Sequence, residues 1–316
     1  MFILIGQIIL GLTLLVLGGE SLVRGSVNVA KKLGISTLVI GLTIIAYGTS
    51  APELIVTVNA VLANHYDIAV GNILGSNISN ILLVLGTATI IYPIQSNLKT
   101  AKQEGILLLS LTFIFSFVAY FYKISFIVAL LFLAILTIYT FFLLKSASKD
   151  KALQKELEAE VNPDEQKKQN LGISLLFILA GFVLLFFGAD ILVENAVELA
   201  KLLNIEEGVI AVTIVAFGSS APEFFASIVS AYRKQSDLVI GNILGSCIFN
   251  IAGVICVSGM IDSFTVSDKF LGKDIYFFMI SAVLMVLAMF LAKNIGKVIG
   301  LCFVSLYATY IYLQWI

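Results

Sequence analysis

Runs of mainly apolar residues follow one another along almost the whole chain. Each is at least about 17 residues long, enough for an α-helix to cross ~30 Å of hydrocarbon. Ten such runs are found, at 3–33, 38–64, 68–92, 104–122, 124–145, 171–203, 208–233, 237–261, 271–292 and 296–315. Charged residues make up only 12% of the chain and apolar residues 59%, against about 25% and about 45–50% in soluble domains. The pattern predicts an all-α polytopic membrane protein with ten transmembrane helices.

Composition also narrows the classes of partner and activity. The formal net charge of -1 gives no overall basic field, so nucleic acid is not an expected partner. Cys247, Cys256 and Cys302 lie in apolar runs without the spacing of metal or redox sites, and we expect all three to be small buried residues. The sequence carries no nucleophile–base pair and no cofactor motif, so we expect neither an enzyme nor a bound cofactor. The lipid bilayer is an expected partner, and no obligate protein partner is inferred.

One polar stretch separates the runs into two groups. Residues 146–170, SASKDKALQKELEAEVNPDEQKKQN, contain 11 charged side chains. We interpret this stretch as a solvated linker that is partly helical around Leu153 to Leu157, in preference to a regulatory module.

The chain contains an internal repeat whose two copies are related by one constant offset in residue number. Residues 43–53, TIIAYGTSAPE, match residues 213–223, TIVAFGSSAPE, at eight of eleven positions. Residues 71–81, GNILGSNISNI, match residues 241–251, GNILGSCIFNI, at nine of eleven positions. Two matches at one offset without a gap indicate a duplicated unit. We therefore divide the chain into a first five-helix repeat at 1–145, the linker at 146–170 and a second five-helix repeat at 171–316.

Five spans is an odd number, so the second copy enters the membrane with the opposite orientation. Basic residues test this orientation because they concentrate in cytoplasmic loops. Eight flank the ends that we assign to the cytoplasm: Lys31, Lys32, Lys99, Lys102, Arg233, Lys234, Lys293 and Lys297. Four flank the opposite ends: Lys123, Lys201, Lys269 and Lys273. The bias predicts a multi-pass cell-membrane protein with a cytoplasmic linker and both termini extracellular, and inverted repeats of this kind are typical of secondary transporters.

Glycine and proline interrupt the spans in which the repeat is best matched. Pro52 and Pro222 lack an N–H and disfavour helix just before them, while Gly48 and Gly218 weaken the preceding turn. We predict that helices 2, 3, 7 and 8 are broken, with free carbonyl groups near their centres. Such backbone is tolerated in a membrane where it lines a cavity or is buried in protein, and free carbonyls are cation ligands.

A glutamate directly follows each of these prolines. Glu53 and Glu223 lie near the middle of their spans, where a charged side chain costs at least ~2.5 kcal/mol. The sequence places no basic residue beside them, since Arg24 is the only positive charge in the body of a span. Two equivalent buried carboxylates of this kind indicate binding of metal cations or protons. The alternative is a pair of protonated glutamates that hydrogen-bond helix to helix.

Oxygen-bearing side chains accompany the two glutamates in the repeated segments. They are Thr49, Ser50, Ser76, Asn80, Ser219, Ser220, Ser246 and Asn250. Ser76 and Asn80 are four residues apart, as are Ser246 and Asn250, so each pair shares a helix face. Oxygen donors without His or Cys suit hard ions such as Ca²⁺ or Na⁺, although the Ser and Asn residues also suit helix packing. If such a site opens alternately to each side of the membrane and two ion species compete for it, the protein exchanges one ion for the other across the membrane.

The paired segments GTSAPE and GSSAPE, each followed by GNILGS, resemble the two alpha-repeats of the cation/Ca²⁺ exchanger superfamily, most closely its prokaryotic sodium/calcium exchangers. The resemblance covers almost the whole chain. It implies that Ca²⁺ binds Glu53, Glu223 and the backbone carbonyls of Thr49 and Ser219. It also implies sodium ligands, which are Ala46, Ser50, Ser76 and Glu53 in one half and Ala216, Ser219, Ser220, Ser246 and Glu223 in the other.

The resemblance also bears on ion coupling. Some archaeal and potassium-dependent relatives have Asp where this chain has Asn250, which is matched by Asn80 in the first half. The pocket is therefore expected to hold two acids, and we expect no potassium requirement. Exchange of three Na⁺ for one Ca²⁺, the stoichiometry that the family suggests, is electrogenic.

The leading hypothesis is an antiporter that exchanges Na⁺ for Ca²⁺ by alternating access, with the long first and sixth spans as the sliding elements. One alternative is H⁺/Ca²⁺ exchange on the same fold, with protons carried by Glu53 and Glu223. An alternative of another class is a cation channel or an ion-sensing membrane protein.

Overall fold

The computed structural model describes residues 1–95, 99–147, 170–203, 205 and 216–314. Most of these residues are helical, and the helices are α1 Phe2–Leu33, α2 Thr37–Ile40, α3 Ala46–Thr49, α4 Ala51–Leu62, α5 Tyr66–Ser79, α6 Gly86–Ile91, α7 Lys99–Phe121, α8 Phe126–Ala147, α9 Leu171–Leu202, α10 Ala216–Ser219, α11 Ala221–Tyr232, α12 Ser236–Phe249, α13 Ile255–Ile261, α14 Lys273–Leu291 and α15 Lys297–Leu313. π-Helical segments at Gly41–Ile45, Asn80–Leu85 and Asn250–Val254 continue the α-helices beside them, and the short strands are β1 Ile94–Gln95 and β2 Asn294–Ile295. The predicted linker helix around 153–157 lies outside the described residues.

Seven of the described helical stretches are long and apolar enough to cross a membrane. They are Phe2–Leu33, Tyr66–Ile91, Ala101–Phe121, Phe126–Lys145, Leu171–Leu202, Ser236–Ile261 and Lys273–Leu291. The bent pair Thr37–Thr49 and Ala51–Leu62 gives an eighth if it is one span, and Lys297–Leu313 is a shorter apolar helix. The prediction of an all-α polytopic membrane protein is confirmed. The predicted seventh span, 208–233, is described only from residue 216 onward, so the number of ten helices stays a prediction.

Spans 2 and 7 are interrupted at equivalent serines. In span 2, α3 ends at Thr49 and α4 begins at Ala51, and the two arms of the span are bent by 42°. α10 and α11 are separated in the same way at Ser220. Pro52 and Pro222 lie in the first turn of the new helix, where a missing N–H removes no intrahelical hydrogen bond. The predicted breaks in these two spans are therefore confirmed.

Spans 3 and 8 are continuous, so the prediction that they are broken was wrong. They run as single helical stretches, Tyr66–Ile91 and Ser236–Ile261. In each, a π-helical segment begins at the repeated asparagine, Asn80 or Asn250. These spans contain glycine but no proline. Glycine keeps its N–H, so backbone hydrogen bonds continue through each span and the helix does not end. It widens locally at the π segment instead. Short π segments of this kind are frequent at functional sites.

α1 and α9 pack against each other in opposite directions along their lengths. A Cβ atom on Gly11 would lie 2.8 Å from the backbone nitrogen of Leu192, and one on Gly25 would lie 2.7 Å from the carbonyl oxygen of Ser174. Real side chains do not fit at such distances, so glycine permits the close approach of the two backbones. The predicted first and sixth spans therefore form one closely packed pair.

Short antiparallel contacts join the two halves of the chain at both ends of α7. β1 pairs with β2, and an isolated bridge joins Ile124 to Phe264. α7 lies between β1 and Ile124 and is ~35 Å long at about 1.5 Å per residue, so the two contacts are at its opposite ends. Ile94 and Phe264 are equivalent positions of the repeat, because the offset that relates its two copies also relates them. Their placement at opposite ends is the arrangement of an inverted repeat.

Spans 3 and 8 form the centre of the molecule. Of the most apolar stretch of each span, 94% is buried in Ser236–Ile261 and 72% in Tyr66–Ile91, compared with 22% in Phe126–Lys145. α1, α8 and α9 turn many large apolar side chains outward, which suits surrounding hydrocarbon. The two central spans carry the second repeated motif, so this motif lies inside the protein.

The three cysteines do not share one environment. Cys247 and Cys256 are buried, as predicted, but Cys302 is exposed. Cys302 lies on α15, where only a few residues are buried against the rest of the protein. The prediction was wrong for Cys302 because an apolar run in a membrane protein also supplies the surface that faces lipid.

Candidate cation-binding site

The two glutamates of the repeated motif lie in the first turns of α4 and α11. Glu53 is 1% exposed and Glu223 is 0% exposed. Each helix follows a serine outside the helical region, with ψ of 8° at Ser50 and 4° at Ser220. Unpaired N–H groups give the first turn of a helix a partial positive charge, which favours a carboxylate there. The break in each span thus places one carboxylate inside the protein at a helix N-terminus.

Each glutamate contacts a serine of the opposite half. The Ser50 hydroxyl donates a hydrogen bond of 2.8 Å to Glu223 Oε1, and the Ser220 hydroxyl donates one of 3.4 Å to Glu53 Oε1. The two serines are equivalent positions of the repeat, and so are the two glutamates. Two motifs that lie far apart in the chain, in opposite halves, therefore meet at one place.

Several buried polar atoms on α4, on α11 and on the π-helical segments that contact these helices have no hydrogen-bond partner within the described part of the chain. They are Glu53 Oε2, Glu223 Oε2, Asn80 Oδ1 and both side-chain amide atoms of Asn250, while the Asn80 side chain contacts the Cys247 thiol. A buried unpaired polar atom costs about 1–3 kcal/mol, and more when it is charged. Among the residues that the structure describes, no group of three or more His, Cys, Asp or Glu side chains could hold a metal ion, and the unpaired atoms belong to two carboxyl groups and two amides. That set fits a hard cation.

The neutral donors predicted from the sequence are mostly buried. Those with less than a tenth of their surface exposed are Ala46, Thr49, Ser50, Ser76, Asn80, Ser220, Ser246 and Asn250. The Ala46 carbonyl oxygen accepts hydrogen bonds from the hydroxyls of Thr49 and Ser246, each at 3.4 Å. Ser219 is only partly buried. Ala216 begins α10, and its side chain lies outside the description.

Two asparagines of this region were missed in the sequence. Asn72 and Asn242 donate hydrogen bonds to the backbone carbonyl oxygens of Glu53 and Glu223, at 3.0 and 3.3 Å. Both lie inside the repeated GNILGS segment, directly after its first glycine. Their recurrence at the same place in both copies of the repeat was a signal that could have identified them.

A second pair of acids at equivalent positions was also missed. Glu104 in α7 is 8% exposed and Asp274 in α14 is 9% exposed. The Tyr310 hydroxyl and the Gln314 amide both donate to Asp274 Oδ1 at 2.8 Å, and Tyr139 lies beside Glu104. These acids therefore take part in contacts between neighbouring peripheral spans.

Arg24, Arg233 and Lys269 form ion pairs with acids other than Glu53 and Glu223. Arg233 follows α11 and holds both carboxylate oxygens of Glu20 in α1, with Nε 2.9 Å from Oε2, and Arg24 also contacts Glu20. None of the ion pairs found between described residues involves Glu53 or Glu223. The charge of the two site glutamates is therefore not balanced by any of these ion pairs.

Comparison with known proteins places these features in a family. The family model described as "Sodium/calcium exchanger protein" matches residues 3–145 and 173–316. The chain is 33% identical over 312 residues to the "Putative antiporter CaxA" of Alkalimonas amylolytica, covering 97% of each protein. It is 28% identical over 315 residues to the "Sodium/calcium exchanger MaX1" of Methanosarcina acetivorans, covering 83% of this chain and 84% of the relative.

Solved structures agree with this relationship. The sodium-calcium exchanger NCX_Mj, soaked with 10 mM Na⁺ and zero Ca²⁺, superposes with a TM-score of 0.84 at 30% sequence identity. The superposition covers 99% of both chains. The family match spans both halves of the chain and the structural match nearly all of it, so the protein, a multi-pass membrane protein, belongs to the sodium/calcium exchanger family.

Proposed function

We propose that the protein is a secondary antiporter that exchanges Na⁺ for Ca²⁺ across the cell membrane. The observation that carries the proposal is the pair of buried glutamates, in a site shared by both halves, whose Oε2 atoms have no hydrogen-bond partner among the residues that the structure describes. Two carboxylates balance the charge of one Ca²⁺ or of two Na⁺. Occupation by either ion offsets the cost of two buried charges, so the two ions compete for the site.

The Ca²⁺ ligands in this proposal are Glu53, Glu223 and the backbone carbonyls of Thr49 and Ser219. The Na⁺ ligands are Ala46, Ser50, Ser76 and Glu53 on one side and Ala216, Ser219, Ser220, Ser246 and Glu223 on the other. Asn80 and Asn250 supply amide oxygens at the centre, supported by their burial and by the lack of a hydrogen-bond partner for both oxygens among the described residues.

Transport in this proposal follows from movement of the α1 and α9 pair against the rest of the protein. The backbone contact between the two helices supports their movement as one unit. Opening the site alternately to each side while ions compete for it gives coupled exchange instead of free leakage.

Three further features belong to the proposal. Exchange of three Na⁺ for one Ca²⁺ moves net charge across the membrane, and with Asn at position 250 it needs no K⁺. The two five-helix repeats are 1–145 and 171–316, with the linker 146–170 in the cytoplasm. Both termini are extracellular, supported by the excess of basic residues on the opposite side.

The test is uptake of radioactive calcium into proteoliposomes loaded with Na⁺ and free of K⁺. We expect uptake that depends on the outward Na⁺ gradient, and Glu53→Gln and Glu223→Gln each to reduce it at least about a hundredfold because each removes a charge that balances Ca²⁺. Uptake driven by a pH gradient without Na⁺ indicates H⁺/Ca²⁺ exchange. Ion flux without a required counter-ion indicates a channel, and full activity in both glutamine variants contradicts the site.

A further inference from the structure

The helix that follows each glutamate-bearing helix, α5 or α12, forms a hydrogen bond to the backbone of that glutamate. In the first half, the Asn72 side-chain amide on α5 donates to the Glu53 carbonyl oxygen at 3.0 Å and to the Thr57 hydroxyl at 2.8 Å. Both acceptors are on α4. A single side chain thus ties the glutamate-bearing turn to the neighbouring helix.

The second half repeats this contact. The Asn242 amide on α12 donates to the Glu223 carbonyl oxygen at 3.3 Å and to the Ser227 hydroxyl at 2.9 Å, both on α11. Asn242 and Ser227 are buried. Residues that are identical or similar in the two halves therefore make the same pair of hydrogen bonds twice, which a chance packing contact does not explain.

The position of these asparagines on their helices gives the contact a consequence. Asn72, Ser76 and Asn80 are successive at intervals of four residues, so they lie along one helix face. A bond from Asn72 to the Glu53 carbonyl sets how far the glutamate turn lies from the oxygen donors of Ser76 and Asn80. A cation that needs both sets of oxygens at about 2.3–2.6 Å depends on that spacing.

We propose that Asn72 and Asn242 are positioning residues that set the cation affinity of the site without binding the ion themselves. This inference rests on the proposed cation-exchange function. Their amide donors act on the glutamate backbone, so loss of the amide weakens ion binding while both carboxylates remain.

The two positions differ in one respect. Asn242 Oδ1 also accepts a hydrogen bond of 3.2 Å from the Thr49 hydroxyl of the first half. Ser219 is the equivalent of Thr49, and the hydrogen bonds between described residues include none from Ser219 to Asn72. Asn242 thus joins the two halves directly, and its loss is expected to weaken cation binding more than the loss of Asn72.

The experiment measures the Ca²⁺ concentration at which half of the calcium-dependent rise in melting temperature of the purified protein is reached. Asn72→Leu and Asn242→Leu remove the amides, and Asn195→Leu is the matched control because buried Asn195 bonds the Ile191 carbonyl within its own helix, α9. We expect the midpoint to rise about tenfold for Asn72→Leu, more for Asn242→Leu, and to stay unchanged in the control. Exchange at saturating Ca²⁺ is expected to persist.

Milder variants guard against loss of folding. Thr57→Val and Ser227→Ala each remove one of the two amide acceptors, and we expect each to raise the Ca²⁺ midpoint about threefold. Rescue of the midpoint by Ser227→Thr, which keeps the hydroxyl, supports a hydrogen-bonding role.

The outcomes separate this inference from the proposed function. Midpoints in both asparagine variants that equal the control's overturn the positioning role, whatever the exchange activity. A different result is that the asparagine variants bind Ca²⁺ more weakly while the wild-type protein exchanges no Na⁺ for Ca²⁺. That result overturns the proposed function and keeps the positioning role. A wild-type protein whose melting responds to neither Ca²⁺ nor Na⁺ overturns both.

Discussion

At the scale of single residues, two carboxyl groups dominate the chemistry of this protein. Glu53 and Glu223 are fully enclosed, and each receives one serine hydroxyl from the opposite half. An ionised carboxylate moved out of water without a paired charge costs several kcal/mol. In the proposed function a bound cation offsets that cost, so the stability of the protein is expected to depend on ion concentration.

This coupling predicts opposite effects of one substitution with and without ions. In buffer free of Ca²⁺ and Na⁺, we expect Glu53→Gln to melt at the same temperature as the wild type or higher, because it removes an unbalanced buried charge worth about 1–3 kcal/mol. In Ca²⁺ we expect the wild type to gain stability and the variant to gain little. Thermal melts with and without Ca²⁺ measure both effects. Glu104→Gln is the control, since Glu104 is a buried acid outside the site, and a calcium response lost there as well would contradict the assignment.

At the scale of elements, proline and glycine have different effects on neighbouring spans. Pro52 and Pro222 end one helix and begin another, which leaves the glutamates in a first turn. The glycines of spans 3 and 8 leave the helices continuous, with π segments that begin at Asn80 and Asn250. The π segments of spans 3 and 8 contact α11 and α4, so the two kinds of helix irregularity meet, and in the proposed site each supplies donors at a different place.

The contact between α1 and α9 gives a second prediction at this scale. A Cβ atom on Gly18 would lie 2.8 Å from the backbone nitrogen of Leu185, whereas one on Gly6 of the same helix would have no atom within 4 Å. We expect Gly18→Ala to cost about 1–3 kcal/mol through overpacking or to slow exchange at least about tenfold. Gly6→Ala is expected to be neutral or slightly stabilising, because alanine favours helix. Melting temperature and initial exchange rate check both variants. Equal melting temperatures and equal rates for the two variants would contradict close backbone packing between α1 and α9.

At the scale of the whole molecule, the two halves are similar but not identical, and one difference between them is an ion pair. Glu20 of α1 is held by Arg233, which follows α11. The equivalents of these two residues in the other copy of the repeat are Asp190 and Ala63. The chain thus has an ion pair between α1 and the end of α11, and alanine at position 63 removes the possibility of the same pair in the other copy of the repeat.

This asymmetry predicts an effect on conformational balance. A solvent-exposed ion pair contributes little free energy, so we expect Arg233→Gln to change the ratio of Ca²⁺ half-saturation at the two membrane faces by only roughly two- to fivefold. Lys234→Gln, a change of the adjacent residue, is expected to leave the ratio unaltered. Exchange measured from each face of oriented vesicles gives the ratio. Equal ratios for the wild type and Arg233→Gln would show that the ion pair has no effect on the balance between the two orientations of the site.

The sequence by itself determined that this protein lies in a membrane, that it is all-helical and that it contains two related halves. These three properties depend on patterns that are local or that repeat along the chain. Long apolar runs require helix in a membrane, one constant offset relates the matched segments of the two halves, and Pro-Glu pairs mark breaks with a carboxylate. Only the tertiary structure decided that spans 3 and 8 stay continuous, that Cys302 faces outward, and that Asn72 and Asn242 hold the glutamate turns. Those outcomes depend on which groups from distant parts of the chain come within hydrogen-bonding or packing distance, and this is set by the packing of whole helices.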